Sequence, residues 1–109
     1  AGAFPAWLAP VQVKILTVTD RAEDYAQEIC KDLAAQGFRV EVDARNEKIG
    51  RKIRDARLEK LPYMLVVGDR DVENSTVSPR HRSRGELEAM SLAEFAQMLK
   101  EEVESKALD

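Results

Sequence analysis

Two apolar runs limit what this chain can fold into. VQVKILTV (residues 11–18) and LPYMLVVGD (61–69) are nearly continuous in apolar residues rather than alternating. Strands that read this way are buried on both faces, as in a sheet covered by helices. The segments between them complete the pattern. In DRAEDYAQEICKDLAAQG, Ala22, Tyr25, Ala26, Ile29, Leu33 and Ala34 recur at helical spacing, Thr19 or Asp20 can cap the start, and Gly37 supplies the stop. FRVEVDA (38–44) alternates apolar and polar, the pattern of a strand nearer a sheet edge. NEKIGRKIRDARLEK predicts a second helix with Ile49, Ile53 and Ala56 on one side and Asn46 as its cap. The order β-α-β-α-β predicts a layered α/β sheet.

The alternation breaks at RDVENSTVSPRHRSRGEL. Asn74 and Ser75 stand between two short β-capable runs, which predicts a hairpin, with Pro79 at an edge or an end. Ser91 and Glu94 make a capping box for a last helix whose apolar stripe is Leu92, Phe95, Met98, Leu99 and Val103.

Charge is distributed unevenly. The chain of 109 residues has a formal charge of −3, yet RNEKIGRKIRDARLEK (45–60) holds seven cations against three anions. Composition alone favours a solvated helix face: Glu47–Arg51 and Arg51–Asp55 are four apart and pair locally, but three anions leave an excess that intrahelical pairs cannot absorb. Lys48 and Lys52 lie one turn apart. Asn46 is expected at the helix N-terminus, where unpaired N–H groups attract phosphate, and its amide can both donate to and accept from a base edge. Gly50 costs a helix about 1 kcal/mol relative to Ala; it is either a point of close approach for another backbone or equally a tolerated weakness. PRHRSR (79–84) adds three more Arg, which read equally as a solvent-exposed polar turn or as planar forks suited to a guanine edge or a phosphate. The residues from 85 onward carry −5 and conceal this basic middle in the total.

Other chemistries find less support. Asp20 and Asp69 follow the first and third strands, the placement of a receiver-like phosphotransfer site, but the later Lys such a site needs has no clear counterpart, and a helix cap and a turn residue are the simpler reading. Cys30 lies beside Ile29 on the apolar side of the first helix, a core position, and His81 sits in a polar loop. One Cys and one His fall short of a zinc ligand set, so no metal or catalytic residue is expected. The acidic last helix could instead dock a basic protein partner. A lone Cys excludes an internal disulfide and predicts a reducing, cytoplasmic setting. No apolar run is long enough to span a membrane. AGAFPAWLAP does not read as a signal peptide and is expected to be an interdomain joint (1–10) ahead of a binding domain at 11–109.

FPAWLAPVQVKILTVTD, RVEVDARNEKIGRKIRDARLEKLPYMLVVGDRDVE and TVSPRHR closely resemble the C-terminal anticodon-binding domain of the bacterial threonyl-tRNA synthetases. RNEKIG points to threonine within the wider class IIa group. The resemblance implies a mixed α/β fold, a roughly five-stranded sheet flanked by about three helices. It implies recognition of threonine tRNA, chiefly the second and third anticodon bases, G and U. By matching position, the anticodon contacts fall on Asn46, Lys60, Asp71 and Arg80. Lys48, Lys52 and Arg82 are expected to track the RNA backbone on their charge alone, not by matching. Lys60 stands where some members carry Arg, Asp71 where Glu is common, and Arg80 follows VSP where the usual run is closer to VAVR. The parent enzyme is expected to be a homodimeric ligase using ATP, magnesium and zinc. Those groups would belong to domains outside this chain, so no cofactor is expected here. The parent's catalytic domain is an expected partner.

Overall fold

The computed structural model describes residues 4–106. The first three residues of the expected joint and the last three of the chain lie outside them. The elements run β1 (Val13–Thr17), α1 (Glu23–Ala35), β2 (Val40–Asp43), α2 (Ile49–Leu58), β3 (Tyr63–Val67), α3 (Asp69–Asn74), β4 (Thr76–His81), β5 (Gly85–Glu86), β6 (Met90–Ser91) and α4 (Leu92–Glu104). A 3-10 turn at Asp20–Ala22 precedes α1.

The sheet is mixed and six-stranded, in the order β2-β1-β3-β4-β5, with β6 also on β4. β1 lies between β2 and β3 and is parallel to both, while β4 runs antiparallel to β3. The apolar runs at 11–18 and 61–69 thus become the two neighbouring inner strands, and alternating β2 becomes the edge. Side-chain alternation divides the core in two. Val13, Ile15, Tyr63, Leu65 and Val77 pack with α1 and α4, where Ile29, Leu33, Phe95 and Leu99 are fully or almost fully buried. On the other face Leu16 and Met64 pack under Ala56 of α2, with Ile49, Ile53 and Val66 against them.

Local signals explain the ends of α1 and α4. Gly37 takes φ +95° just past α1, and its N–H donates to the Ala34 carbonyl. The capping box of α4 forms: Ser91 Oγ accepts from Glu94 N at 3.1 Å, and Ser91 N donates to Glu94 Oε1 at 3.3 Å. Cys30 is half-buried against the first core cluster, as its helical position implies.

Other expectations are corrected. No side chain caps α1: Thr19 Oγ1 donates instead to Asp69 Oδ1 at 3.2 Å. Asn46 does not cap α2, because Lys48 holds the N-cap position and Asn46 stays exposed two residues earlier. The stretch before Ser75 is a helix and not a hairpin strand. Asp71 accepts from the N–H of Gly68 at 3.1 Å, anchoring the first turn of α3, and Ser75 stops it in the left-handed region at φ 55°. Pro79 falls inside β4, opposite Leu65. It is tolerated there because N–H and C=O of a strand residue point to the same side, and the Pro79 carbonyl accepts from Leu87 N on the outer side. The missing donor therefore faces the edge occupied only by the two-residue strands β5 and β6.

The segment before β1 is laced to the rest. Gln12 Nε2 donates to the Ala6 carbonyl at 2.9 Å, and Arg39 reaches the carbonyls of Ala9 and Trp7 at 2.8 and 3.2 Å. Ala6 is fully buried.

Candidate nucleic-acid interface

Strand β4 separates core from surface by alternation. Val77, Pro79 and His81 are buried toward α1 and α4, while Thr76, Ser78 and Arg80 lie partly exposed on the α2 side. There Arg80 stands opposite Met64, beside the end of α2. Arg57, Lys60, Met64, Arg80, Arg82 and Glu86 line a cavity of about 490 Å³. Two of the four expected anticodon contacts, Lys60 and Arg80, and the expected backbone contact Arg82 thus share one site.

That site is held together by backbone contacts. Lys60 ends α2 in the left-handed region at φ 57°, a conformation more often given to glycine. Its carbonyl accepts from Arg82 NH1 at 3.3 Å, and Arg82 N donates to the Pro62 carbonyl at 3.1 Å. The turn after β4 is built on His81. This residue is 3% exposed, and its Nδ1 accepts from the N–H groups of Ser83 and Arg84, each at 3.1 Å. Arg84 closes the far side, bonding the Tyr63 hydroxyl and Glu102 Oε1 of α4. The Tyr63 phenol donates to Glu102 Oε1 at 2.8 Å. Burial, with the Glu102 carboxylate adding to it, pushes the Tyr63 phenol well above its ordinary pKa.

Asn46 lies elsewhere. It lines a second cavity, of about 300 Å³, with Thr17, Thr19, Arg21, Arg45 and Lys52. The two cavities sit at opposite ends of α2, which ten residues make about 15 Å long. Between them, helical spacing puts Gly50, Arg54 and Arg57 on one stripe of α2, the side on which Arg57 meets the Arg80 cavity. A Cβ built on Gly50 would meet nothing within 4 Å. Arg51 and Asp55 turn the other way, toward Arg45 and β2.

Two expected contact residues are placed differently from the sequence reading. Lys52 is 2% exposed, and its ammonium donates to the Thr17 carbonyl at 2.9 Å and to Thr17 Oγ1 at 3.0 Å. It ties α2 to the end of β1 rather than presenting a surface charge, because the α2 residues Ile49, Lys52, Ile53 and Ala56 share the buried side. Asp71 is 9% exposed and accepts from Thr76 Oγ1, Ser78 Oγ and Gly68 N at 2.9, 3.1 and 3.1 Å. Its oxygens hold the start of β4. Lys48 and Asn46 are exposed.

Charge neutralisation around the second cavity went unread in the sequence. The Arg45 guanidinium bonds Asp43 at 2.9 and 2.8 Å and Asp55 at 2.9 Å, and it holds the Asp43 carboxyl below the usual carboxylate range. Asp69 is likewise held low, chiefly by Arg21 at 2.6 Å. The spacing of Asp43 and Arg45, two apart at a strand end, was the available signal. Nothing in sequence joined Arg84 to Glu102 or Arg80 to Glu86. Among the described residues no three His, Cys, Asp or Glu side chains form a group that could hold a metal ion. Nor is any helix long and apolar enough to cross a membrane.

A cationic cavity beside a partly exposed strand face is the electrostatic footprint expected of a nucleic-acid-binding module. A family profile described as "Anticodon binding domain" matches residues 12–102, and the chain belongs to that family. Over 106 residues it is 56% identical to the threonine–tRNA ligase of Clostridium novyi (strain NT), covering 97% of this chain and 17% of that one. It is 51% identical to the threonine–tRNA ligase of Clostridium tetani (strain Massachusetts / E88), covering 100% and 17%. The match to that of Syntrophomonas wolfei subsp. wolfei is 53%, covering 98% and 17%. The chain therefore spans 17% of the length of these curated relatives. Among solved structures, the RNA binding domain of threonyl-tRNA synthetase from Cryptosporidium parvum Iowa II superposes with a TM-score of 0.89 at 28% identity, covering 93% of this chain and 26% of that one.

Proposed function

We propose that this chain is the anticodon-reading domain of a threonine–tRNA ligase, and that the loop of threonine tRNA lies along α2 from Asn46 to Arg80. The observation that carries the reading is the shared cavity of Lys60, Arg80 and Arg82 at one end of α2, with Asn46 at the other. Arg80 offers a planar fork to the O6 and N7 acceptors of the second-position G, a contact worth about 1–3 kcal/mol of discrimination. Asn46 offers its amide to the third-position U. Lys60, Arg82 and Lys48 attract the loop phosphates. Asp71 and Lys52 support the surface from beneath, Asp71 through Ser78 and Lys52 through Thr17. The parent joins threonine to its tRNA in the cytoplasm, as a homodimer whose catalytic domain precedes this one. ATP, magnesium and zinc serve that reaction in the parent's other domains.

An NMR titration of this chain with a threonine anticodon stem-loop, beside one whose second-position G is replaced, tests the reading. Shifts at Asn46, Lys60 and Arg80 that vanish with the altered loop are expected. Equal shifts with both loops would reduce the interaction to electrostatics, and no shifts with either would remove it.

A further inference from the structure

Arg80 does not stand alone in its cavity. Glu86 of β5 is its direct cross-strand partner, and its Oε1 accepts from the Arg80 guanidinium at 2.5 Å. Among the described residues, Glu86 is the only acidic side chain lining a cavity that also holds Arg57, Lys60 and Arg82. The pair is asymmetric in exposure: the Arg80 side chain is 28% exposed and that of Glu86 69%. Glu86 sits on a strand of two residues at the sheet edge, open to solvent.

Two consequences follow from placing one carboxylate there. Arg carries five N–H donors in a rigid fork. A carboxylate oxygen on one terminal nitrogen fixes the plane of the fork and leaves the other donors for a base edge. The same carboxylate cancels the charge that would draw a bare phosphate to Arg80, and phosphate attraction carries no sequence information. A guanine edge, which presents neutral acceptors, is not repelled in the same way. Because the pair is exposed, it is weak enough to yield: such pairs shift equilibria by up to about fivefold.

We propose that Glu86 is a specificity-determining residue of the RNA site, holding Arg80 oriented and neutralised so that it accepts a guanine edge and turns away phosphate. This rests on the anticodon reading given above, in which Arg80 contacts the G. Two anticodon stem-loops, with and without the second-position G, are titrated into the wild-type chain and into Glu86→Gln, with inorganic triphosphate as a separate probe. Glu86→Gln is expected to bind the altered loop and triphosphate about threefold more tightly, and so to narrow the ratio between the loops by about the same factor. An unchanged ratio in a discriminating wild type would overturn the proposal. A wild type that does not discriminate would sink the anticodon reading instead. The triphosphate arm then decides alone: tighter binding by Glu86→Gln retains the carboxylate's screening of Arg80, and unchanged binding rejects it.

Discussion

The Lys52 ammonium lies 2.9 Å from the Thr17 carbonyl and 3.0 Å from Thr17 Oγ1, with 2% of the residue exposed. One of the seven cations in the basic stretch is therefore a structural bolt between α2 and β1. Arg45 and Arg51 are likewise spent within the protein, on Asp43 and Asp55.

Lys52 and Lys48 should separate cleanly in experiment. Lys52→Met leaves the Thr17 carbonyl without its buried donor and is expected to cost about 1–3 kcal/mol of stability in urea unfolding. The salt dependence of stem-loop binding should be unchanged. Lys48→Ala should do the reverse. If about four phosphates are neutralised, the log–log salt slope of the wild type is near −3, and loss of Lys48 flattens it by about 0.7. A flatter slope for Lys52→Met would place its charge on the RNA.

Gly50 gives a second separation of stability from binding. It lies in the first turn of α2 with open space where a Cβ would stand, so nothing in the protein opposes Ala. Gly50→Ala is expected to stabilise the fold by about 0.5–1 kcal/mol, because Ala loses less backbone entropy in a helix. If the RNA backbone passes along the stripe of Gly50, Arg54 and Arg57, the same change weakens stem-loop binding. Thermal unfolding and a binding titration on one protein settle both. Higher stability with unaltered affinity would place the RNA elsewhere.

The layered architecture was readable because it rests on periodicity. The apolar runs around Ile15 and Leu65, the stripe of Phe95 and Leu99, the stop at Gly37 and the box of Ser91 and Glu94 are local signals with one physical reading each. The polar segment 69–75 was misread, since α3 owes its existence to Asp71 reaching back to Gly68 and to a left-handed Ser75. Pairing propensities around Asn74 say nothing of either. At the site, residue chemistry suggested Arg80 as a base-reading fork, and family resemblance located it, as it did Lys60. Neither could reveal that Lys52 turns inward or that Glu86 faces Arg80. Both facts depend on which strand lies beside which, and that is decided by the whole sheet.

Acid should unfold the chain partly through Asp43. Its carboxyl is held below the ordinary carboxylate range, first by hydrogen bonds from Arg45. A group with a depressed folded pKa stabilises the protein above its unfolded value, near 4, and loses that contribution as pH falls through the lower folded value. Stability is therefore expected to be flat from neutral pH down to about 5 with respect to this group, and to fall below about 4. Asp43→Asn, which cannot accept the charged fork, should lower stability by about 1–3 kcal/mol at pH 7 and narrow that gap as the pH drops below 4. A constant difference across pH 2–7 would mean that the ionised pair contributes nothing.

Lys60 allows folding to be tested against RNA binding most directly. Its φ of 57° places a long side chain where glycine has no steric penalty, directly after α2 and on the wall of the Arg80 cavity. A non-glycine residue in that conformation costs about 1–2 kcal/mol. Part of this returns on substitution, offset by the greater freedom of an unfolded glycine. Lys60→Gly is thus expected to raise the melting temperature by a few degrees. It leaves the backbone carbonyl in place to accept from Arg82, so the turn after β4 keeps its shape. Stem-loop binding should nevertheless weaken, with the salt slope flattened by about 0.7 for one lost phosphate contact. Ser75 is the matched control, left-handed at φ 55° and closing α3 away from the cavity lining. Ser75→Gly should raise stability similarly with binding unaffected. If Lys60→Gly stabilises the chain and binds the stem-loop as the wild type does, the lysine has no role in holding RNA.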